Sequence, residues 1–182
     1  MTRIERAQKF AHLGHDSIGQ KRKYTGEPYW VHTDEVARLV AGVRGATEDM
    51  IVAAHLHDLE EDVHIYPYSL KGIYEEFGAT VVGYVRWLTH LYTPETYPEL
   101  NRATRKYLEA DRLSGAPLSV RTVKVADIVA NTASIVNHDA NFAKVYVPEG
   151  EHLLDKIGYL VDDNLWEKAF EQLRDARKKL GI

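Results

Sequence analysis

Apolar residues recur at helical spacing along most of the chain. Ile4, Ala7 and Phe10 lie on one face of a first predicted helix, because residues three and four positions apart share a face of an α-helix. Thr2 followed by Glu5 is the pattern of a capping box at the start of that helix. The Asn-Gly and Asp-Gly pairs that mark tight β-hairpins do not occur. The pattern therefore predicts an all-α fold.

Helix-start signals and prolines set the bounds of the other predicted helices. Thr33 and Thr47 are each placed to cap a helix, and the second of these helices opens with the apolar stretch 50–54. We predict a loop over residues 14–28. We predict further helices over residues 69–77, 79–91, 99–113, 120–137, 149–161 and 162–180. Four prolines, which lack a backbone N–H, fall between predicted helices: Pro94, Pro98, Pro117 and Pro148. Without a repeat or a linker-like tract, we predict one domain over residues 1–182.

Composition and charge exclude several classes of protein. The chain has 182 residues, no Cys and a formal net charge of -4, and that length can bury the core of one domain. Disulfide scaffolds, zinc–thiolate sites and iron–sulfur clusters are excluded without Cys. The negative charge argues against a nucleic-acid partner, and no run approaches the roughly 20 apolar residues needed to cross a bilayer. We predict a cytoplasmic protein with no membrane partner, and make no prediction of its oligomeric state.

Ionisable residues follow the most apolar predicted helix. His57 and Asp58 come directly after the apolar stretch, and Glu61 and Asp62 come one turn later. Burying such groups is costly unless a metal ion or a partner compensates. An adjacent His and Asp can ligate one divalent ion, with the later carboxylates placed to handle its bound water. The alternative is an exposed helix end with an acidic stretch facing water.

Polar residues interrupt apolar segments at two further places. Asp127 ends an otherwise apolar run, with Asn131 four residues later on the same helix face. A buried Asp there needs a cation or several donors, and the alternative to a metal ligand is a carboxylate paired with Arg or Lys. His32 stands ahead of a predicted helix as a ligand, a cap or a packed side chain. The basic run 21–23 is either a phosphate clamp or a solvated loop.

Taken in chain order, these residues resemble the HD-domain metal-dependent phosphohydrolases. They resemble more closely the hydrolase domain of the RelA/SpoT family, which includes the single-domain small alarmone hydrolases. The six matching pieces are Arg22 and Lys23, the run from Thr25 to Tyr29, His32, the run from His57 to Asp62, Phe77 with Gly78, and Ala126 and Asp127 together with Asn131. The match covers about residues 5–137, and six ordered pieces are more specific than any one of them.

The resemblance implies a helical bundle that binds one divalent ion, usually manganese. The implied metal ligands are His32, His57, Asp58 and Asp127. The implied catalytic pair, which positions and activates the attacking water, is Glu61 and Asp62. The implied nucleotide contacts are Arg22, Lys23, Asn131 and Ser134. Two imidazoles and two carboxylates suit manganese or a similar first-row ion.

Five positions depart from the family pattern: Thr33 replaces a Pro, Glu60 replaces a Val, Val63 replaces a Thr, His90 replaces a Lys, and Ile128 replaces an Arg. None of these changes removes an implied metal ligand. They leave the base preference open, because guanosine and adenosine alarmones differ only at the edge of the ring.

The implied activity is hydrolysis of the 3′-pyrophosphate of a guanosine tetra- or pentaphosphate alarmone, which releases pyrophosphate and GDP or GTP. The partner is then a small nucleotide. The same chemistry can act on an adenosine alarmone, a nicotinamide dinucleotide phosphate or a nucleoside monophosphate. A catalytically silent nucleotide-binding module is the alternative from another class, and a nucleic-acid-binding module is a poorer third on charge grounds. Since no second catalytic segment precedes Ile182, the expectation is a stand-alone degrading enzyme, with helices over residues 149–180 of unassigned role.

Overall fold

Helices make up the regular structure of the protein. The computed structural model describes residues 1–158 and 162–182, and the chain divides into two compact units, residues 1–89 and residues 90–182. Over these described ranges, β-type pairing is limited to one isolated antiparallel bridge between Lys21 and Pro28. The prediction of an all-α fold is confirmed. A single domain over residues 1–182 stays a prediction.

The first unit holds six helices, one of which is central. They are α1 (Arg3–Ser17), α2 (Trp30–Ala41), α3 (Glu48–Leu56), α4 (Leu59–Asp62), α5 (Leu70–Phe77) and α6 (Ala79–Leu88). Helix α3 packs against α1, α2 and α6, and its Val52, Ala53 and Leu56 are completely buried. The nearly unbroken apolar stretch in the sequence is therefore the centre of this unit, as expected for a helix that is apolar on several sides.

The predicted caps of α1 and α3 are confirmed. Thr2 and Glu5 form a reciprocal capping box, in which Thr2 Oγ1 accepts from the Glu5 N–H at 3.1 Å and Glu5 Oε2 accepts from the Thr2 N–H at 2.7 Å. Thr47 Oγ1 accepts from the Met50 N–H at 3.3 Å. Each cap satisfies backbone donors that have no partner inside the helix.

Two predictions about loops and caps in this unit are wrong. Gly14 was expected to open a loop, but α1 continues to Ser17. A Cβ atom at Gly14 would lie 2.6 Å from Leu59 Cδ2, so this glycine allows a close approach between neighbours rather than ending the helix. Thr33 does not cap α2, since the helix already begins at Trp30 and the Thr33 hydroxyl donates to the Trp30 carbonyl inside it at 3.1 Å.

The second unit holds four further helices in its described part. They are α7 (Arg102–Ser114), α8 (Leu118–His138), α9 (Ala140–Ile157) and α10 (Asp163–Leu180). Helix α9 packs against α7, α8 and α10, and α8 is buried along most of its length. The prediction for residues 149–161 extends over residues 159–161, which lie outside the described residues. None of the described helices is both long enough and apolar enough to cross a membrane.

Helix bounds in this region differ from the predicted ones for identifiable reasons. Pro148 was expected between helices but lies inside α9. A proline removes one backbone bond from a helix, and packing of α9 on three other helices outweighs that loss. Helix α6 ends at Leu88 rather than at residue 91, because the buried Glu109 carboxylate accepts hydrogen bonds from the Leu91 and Tyr92 backbone N–H groups.

Candidate metal centre

Three predicted metal ligands come together in the first unit. His32 lies on α2, and His57 and Asp58 follow the last residue of α3. One potential ligand atom from each of the three lies within 4.8 Å of the others. Asp58 Oδ2 is 3.1 Å from His57 Nε2 and 3.7 Å from His32 Nε2. The histidine side chains are only 2% and 3% exposed. A buried pair of imidazoles beside a carboxylate fits a first-row divalent ion.

Neighbouring groups orient these ligand atoms. His57 Nδ1 lies 2.8 Å from the Ala54 carbonyl oxygen. Because a carbonyl can only accept, the Nδ1 atom carries the ring proton, and the Nε2 lone pair is directed towards Asp58. The Tyr29 hydroxyl donates to Asp58 Oδ2 at 2.7 Å. Partners of this kind fix the tautomer and the orientation of metal-binding side chains.

The predicted catalytic pair lies on the short helix α4. The chain does not continue as one helix through His57 and Asp58, since α3 ends at Leu56 and α4 begins at Leu59. The turn stays close to helical, because the Asp62 N–H still donates to the Asp58 carbonyl at 2.9 Å. This arrangement leaves Glu61 exposed and Asp62 half-buried. Burial, together with the negative charge of Asp58, raises the pKa of Asp62 to about 6.

The predicted phosphate-binding residues lie on a loop held by its own backbone. The Arg22 N–H donates to the Glu27 carbonyl at 2.8 Å, and the Gly26 N–H donates to the Arg22 carbonyl at 3.0 Å. Gly26 adopts a φ of 73°, which a residue without a Cβ reaches at no steric cost. Lys23 is exposed and Arg22 is half-buried. The loop is thus an ordered turn that carries a basic tip.

In the second unit, Asp127 is the hub of a polar group on α8. Lys124 Nζ donates to Asp127 Oδ2 at 2.8 Å, and Asn131 Nδ2 donates to Asp127 Oδ1 at 2.6 Å. Asp127 and Lys124 are buried, while Asn131 and Ser134 are half-buried. Asp127 is thus paired with a lysine, and its role as a metal ligand stays a prediction. Lys124 was missed, although its place three residues before Asp127 on an apolar helix is a readable signal.

A second group that the sequence did not reveal joins α1, α2 and α3. Asp34 Oδ2 lies 3.0 Å from His12 Nε2, Asp34 Oδ1 lies 3.1 Å from His55 Nδ1, and Gln8 Nε2 donates to Asp34 Oδ2 at 3.0 Å. Burial alone would raise the pKa of Asp34, but the hydrogen bonds from His55, His12 and Gln8 outweigh it and lower the pKa. The network ties together the helices that precede and carry the metal ligands.

Comparison with known families shows to which family the chain belongs. The model of the HD domain family matches residues 7–140. The chain belongs to the HD domain family. The match includes every residue predicted from the sequence to bind metal or nucleotide, from Arg22 to Ser134. The cluster of His32, His57 and Asp58 lies within the matched residues, and its donor atoms suit a divalent metal ion.

Two curated relatives share part of this HD domain. The chloroplastic "Probable GTP diphosphokinase RSH3" of Arabidopsis thaliana is 32% identical over 123 residues, which is 64% of this chain and 16% of that protein. A Synechocystis protein named as a probable guanosine-3′,5′-bis(diphosphate) 3′-pyrophosphohydrolase is 29% identical over 124 residues, or 68% of this chain and 16% of its own length. The chain thus spans about a sixth of the length of these relatives.

A solved structure supports the HD-domain fold. It belongs to a metazoan ortholog of SpoT that hydrolyses ppGpp. The two structures agree with a TM-score of 0.81, at 22% sequence identity, over 96% of each chain. At this level of identity the likeness establishes the fold.

Proposed function

We propose that this HD domain is a metal-dependent phosphohydrolase that removes the 3′-pyrophosphate from guanosine tetra- or pentaphosphate. The observation that carries the proposal is the buried cluster of His32, His57 and Asp58, with the Asp62 carboxylate one turn further on. The names of the Synechocystis relative and of the metazoan structure supply the substrate class. The products are pyrophosphate and GDP or GTP.

The ion that we propose is manganese. His32, His57 and Asp58 would hold it, and the family pattern suggests Asp127 as a fourth ligand. Such an ion, when bound, lowers the pKa of a coordinated water and polarises a phosphoryl oxygen. Borderline ligands of this type, with no thiolate among them, are compatible with manganese.

Glu61 and Asp62 of α4 have the role of positioning and activating the attacking water. A general base works best when its pKa lies near the working pH. Asp62, with a pKa raised to about 6, is ionised at neutral pH and can take a proton from the attacking water. The water oxygen bonds to the phosphorus next to the ribose 3′-oxygen. The bond between that phosphorus and the 3′-oxygen breaks, and the 3′-oxygen gains a proton. Glu61 would help to position the water.

The basic loop has the phosphate-binding role. Arg22 offers a planar group with several donors, which suits a phosphate, and Lys23 offers a mobile point charge. Asn131 and Ser134 are proposed nucleotide contacts on the strength of the family pattern alone, since the Asn131 amide donates to Asp127 here. A small nucleotide as the partner, with no nucleic acid, agrees with the net charge of -4. A cytoplasmic location stays a prediction.

The direct test is a turnover assay on the purified protein. We expect pyrophosphate release from the guanosine alarmone with manganese, and none after chelation. A panel with the adenosine alarmone, scored by pyrophosphate release, and with a nicotinamide dinucleotide phosphate and nucleoside monophosphates, scored by orthophosphate release, reveals any other substrate preference. Folded, manganese-loaded protein that releases no pyrophosphate from the guanosine alarmone would contradict the proposal. Nucleotide binding without turnover, unaffected by Asp58→Ala, would instead favour a catalytically silent module.

A further inference from the structure

A chain of three polar side chains ends at Asp62. Gln20 Nε2 donates to Asp62 Oδ2 at 2.8 Å, and Gln20 Oε1 lies 2.6 Å from His15 Nδ1. His15 is completely buried and Gln20 is half-buried. The chain of side chains starts at the end of α1, passes through the base of the basic loop and reaches α4, so it connects positions 15 and 20 with a helix about 40 residues later in the sequence.

Chemistry fixes the direction of both hydrogen bonds. An ionised carboxylate can only accept, so Gln20 must turn its amide nitrogen towards Asp62. The amide oxygen then faces His15, which must carry its ring proton on Nδ1 in order to donate. Burial lowers the pKa of His15, which agrees with a neutral ring that carries a proton on only one of its two nitrogens. Each member of the chain thereby holds the next in a single orientation.

The backbone of Gln20 anchors the base of the basic loop. Its N–H donates to the His15 carbonyl at 3.0 Å, and its carbonyl accepts from the Tyr29 N–H at 3.1 Å. The hydroxyl of the same tyrosine donates to Asp58 Oδ2 at 2.7 Å. Gln20 therefore contacts the proposed base through its side chain, and through Tyr29 it is connected to a metal ligand.

We propose that Gln20 is a positioning residue for Asp62, and that His15 holds the Gln20 amide in place. The bond from Gln20 occupies Oδ2, so that Oδ1 is the oxygen that Asp62 offers to the attacking water. This inference rests on the proposed function, because it assigns Asp62 as the base. It predicts that loss of the Gln20 donor slows the chemical step without weakening substrate or metal binding.

The test compares variants of Gln20 with a matched glutamine. Gln20→Met keeps the length of the side chain and removes its N–H donor. Gln20→Glu keeps the shape and places a carboxylate oxygen, instead of the N–H donor, against Asp62. Gln8 is the control, since its Nε2 also donates to an aspartate, Asp34 Oδ2, at 3.0 Å in the same unit. Each protein is assayed for kcat, KM, bound manganese and thermal unfolding.

We expect both Gln20 variants to lose kcat by about 10-fold or more, the size of one hydrogen bond to a charged group. KM and bound manganese should stay within about twofold, and Gln8→Met should keep the wild-type kcat. Equal losses of kcat in the Gln8 and Gln20 variants would overturn the proposal. A loss that only follows the folded fraction or the bound manganese would overturn it too.

The role of His15 has its own pair of variants. His15→Asn keeps a nitrogen donor at the position of Nδ1, whereas His15→Ala removes it. We expect the Asn variant to retain clearly more of the wild-type kcat than the Ala variant. Equal kcat values in the two variants would refute the part assigned to His15.

One readout does not depend on turnover. Long-range ¹H–¹⁵N NMR spectra of chelator-treated protein report which ring nitrogen of His15 carries the proton. The proposal requires the Nδ1–H tautomer in the wild type, and an Nε2–H tautomer would overturn it. A wild-type protein that turns over no nucleotide in the panel would reject the proposed function, and the tautomer would still decide the arrangement of Gln20.

Discussion

Single side chains decide what the candidate site can bind. Asp58 places a carboxylate oxygen 3.1 Å from one buried imidazole nitrogen and 3.7 Å from another. Unpaired burial of such groups is costly, and a divalent ion is the compensation that an HD domain provides. The effects of replacing Asp58 and of titrating His15 each follow from one ionisable group and its surroundings.

Replacement of Asp58 by Asn should abolish manganese binding. The amide keeps the shape of the side chain and loses the charge. We expect the affinity for manganese to fall by at least about 100-fold, the upper end of what the loss of a ligand's supporting partner costs. Calorimetric titration measures the affinity. Asp111→Asn serves as the control, since that side chain is 62% exposed in an ion pair with Lys156, and unchanged binding in both variants would contradict the assignment.

His15 should make the stability of the protein fall in mild acid. Burial lowers its pKa in the folded state, while an unfolded histidine has a pKa of about 6.5. As the pH falls below 6.5, His15 takes up a proton in the unfolded chain but stays neutral in the folded protein. Its contribution to stability therefore decreases until the pH reaches the folded pKa. Above that range the contribution is constant.

Urea unfolding of the chelator-treated protein at several pH values between 5 and 7.5 tests this expectation. His15→Asn lacks the titrating ring, so its free energy of unfolding should depend less steeply on pH than that of the wild type. The difference in slope can reach about 1.4 kcal/mol per pH unit for one proton. Identical slopes would show that His15 titrates normally in the folded protein.

Residue patterns pointed to the proposed metal ligands but not to the side chains that contact the candidate site. His57 and Asp58 stand out in the sequence because they interrupt an apolar stretch. Gln20 and His15 carry no such contrast, and the contact between Gln20 and Asp62 spans 42 positions. Hydrogen bonds between distant segments follow from the packing of helices, which a local pattern does not contain.

Glycines in two successive helices have opposite relations to their surroundings. Gly72 lies in α5, where an added Cβ would be 1.8 Å from the Pro67 carbonyl oxygen. Gly83 lies in α6, and an added Cβ there would meet nothing within 4 Å. Intrinsic propensity favours Ala over Gly equally at both positions. The neighbourhood therefore decides the sign of the effect.

We expect Gly72→Ala to destabilise the protein and Gly83→Ala to stabilise it. The first change forces a methyl group into backbone atoms, at a cost of about 1–3 kcal/mol. The second gains about 0.5–1 kcal/mol from the smaller loss of chain entropy on folding. Chemical denaturation of the two variants and the wild type measures both values. Stabilisation by Gly72→Ala would show that backbone shifts relieve the clash, and destabilisation by Gly83→Ala would contradict the second expectation.

Helix bounds were predictable where a local signal acted alone. Thr47 caps α3 as its position in the sequence suggests. Thr33 has the same residue type but lies inside α2, which begins three residues earlier. Pro148 is accommodated within α9. In both wrong predictions the packing of a longer helix outweighs a local preference whose free energy is only about 1–3 kcal/mol.

Across the whole molecule, metal binding and folding are linked. A ligand that binds only the folded state stabilises it by about 2.7 kcal/mol at a concentration 100 times its dissociation constant. The cluster of His32, His57 and Asp58 draws on α2 and on the junction between α3 and α4, so the unfolded chain does not preserve it. The unfolding temperature is therefore a readout of the metal centre.

Manganese should raise the unfolding temperature of the wild type by about 5–10 °C at that concentration, given about 2–4 °C per kcal/mol for a chain of this size. Asp58→Asn should show no such rise. Scanning fluorimetry with manganese or with chelator measures the shift. An equal rise in the two proteins would place the stabilising ion at another site.

The sequence predicted the fold class and the family of the whole chain better than it predicted individual contacts between residues. The helical class and the HD domain follow from periodic apolar positions and ordered motifs. The division into units at residues 89 and 90 was not predicted, because no linker-like composition marks that point. Compactness depends on contacts between distant residues, and composition alone does not record them.

Gly14 has a consequence for the interpretation of saturation mutagenesis. Its backbone lies so close to the side chains of Leu59 and Tyr68 that any larger residue forces the buried Leu59 side chain, which follows Asp58 in the chain, to shift. A mutational scan based on activity will therefore score Gly14 as intolerant, like a residue that touches substrate. A parallel scan for protein abundance separates the two classes. Substitutions at Gly14 should lower abundance and activity together, whereas substitutions at Asp62 should lower activity alone.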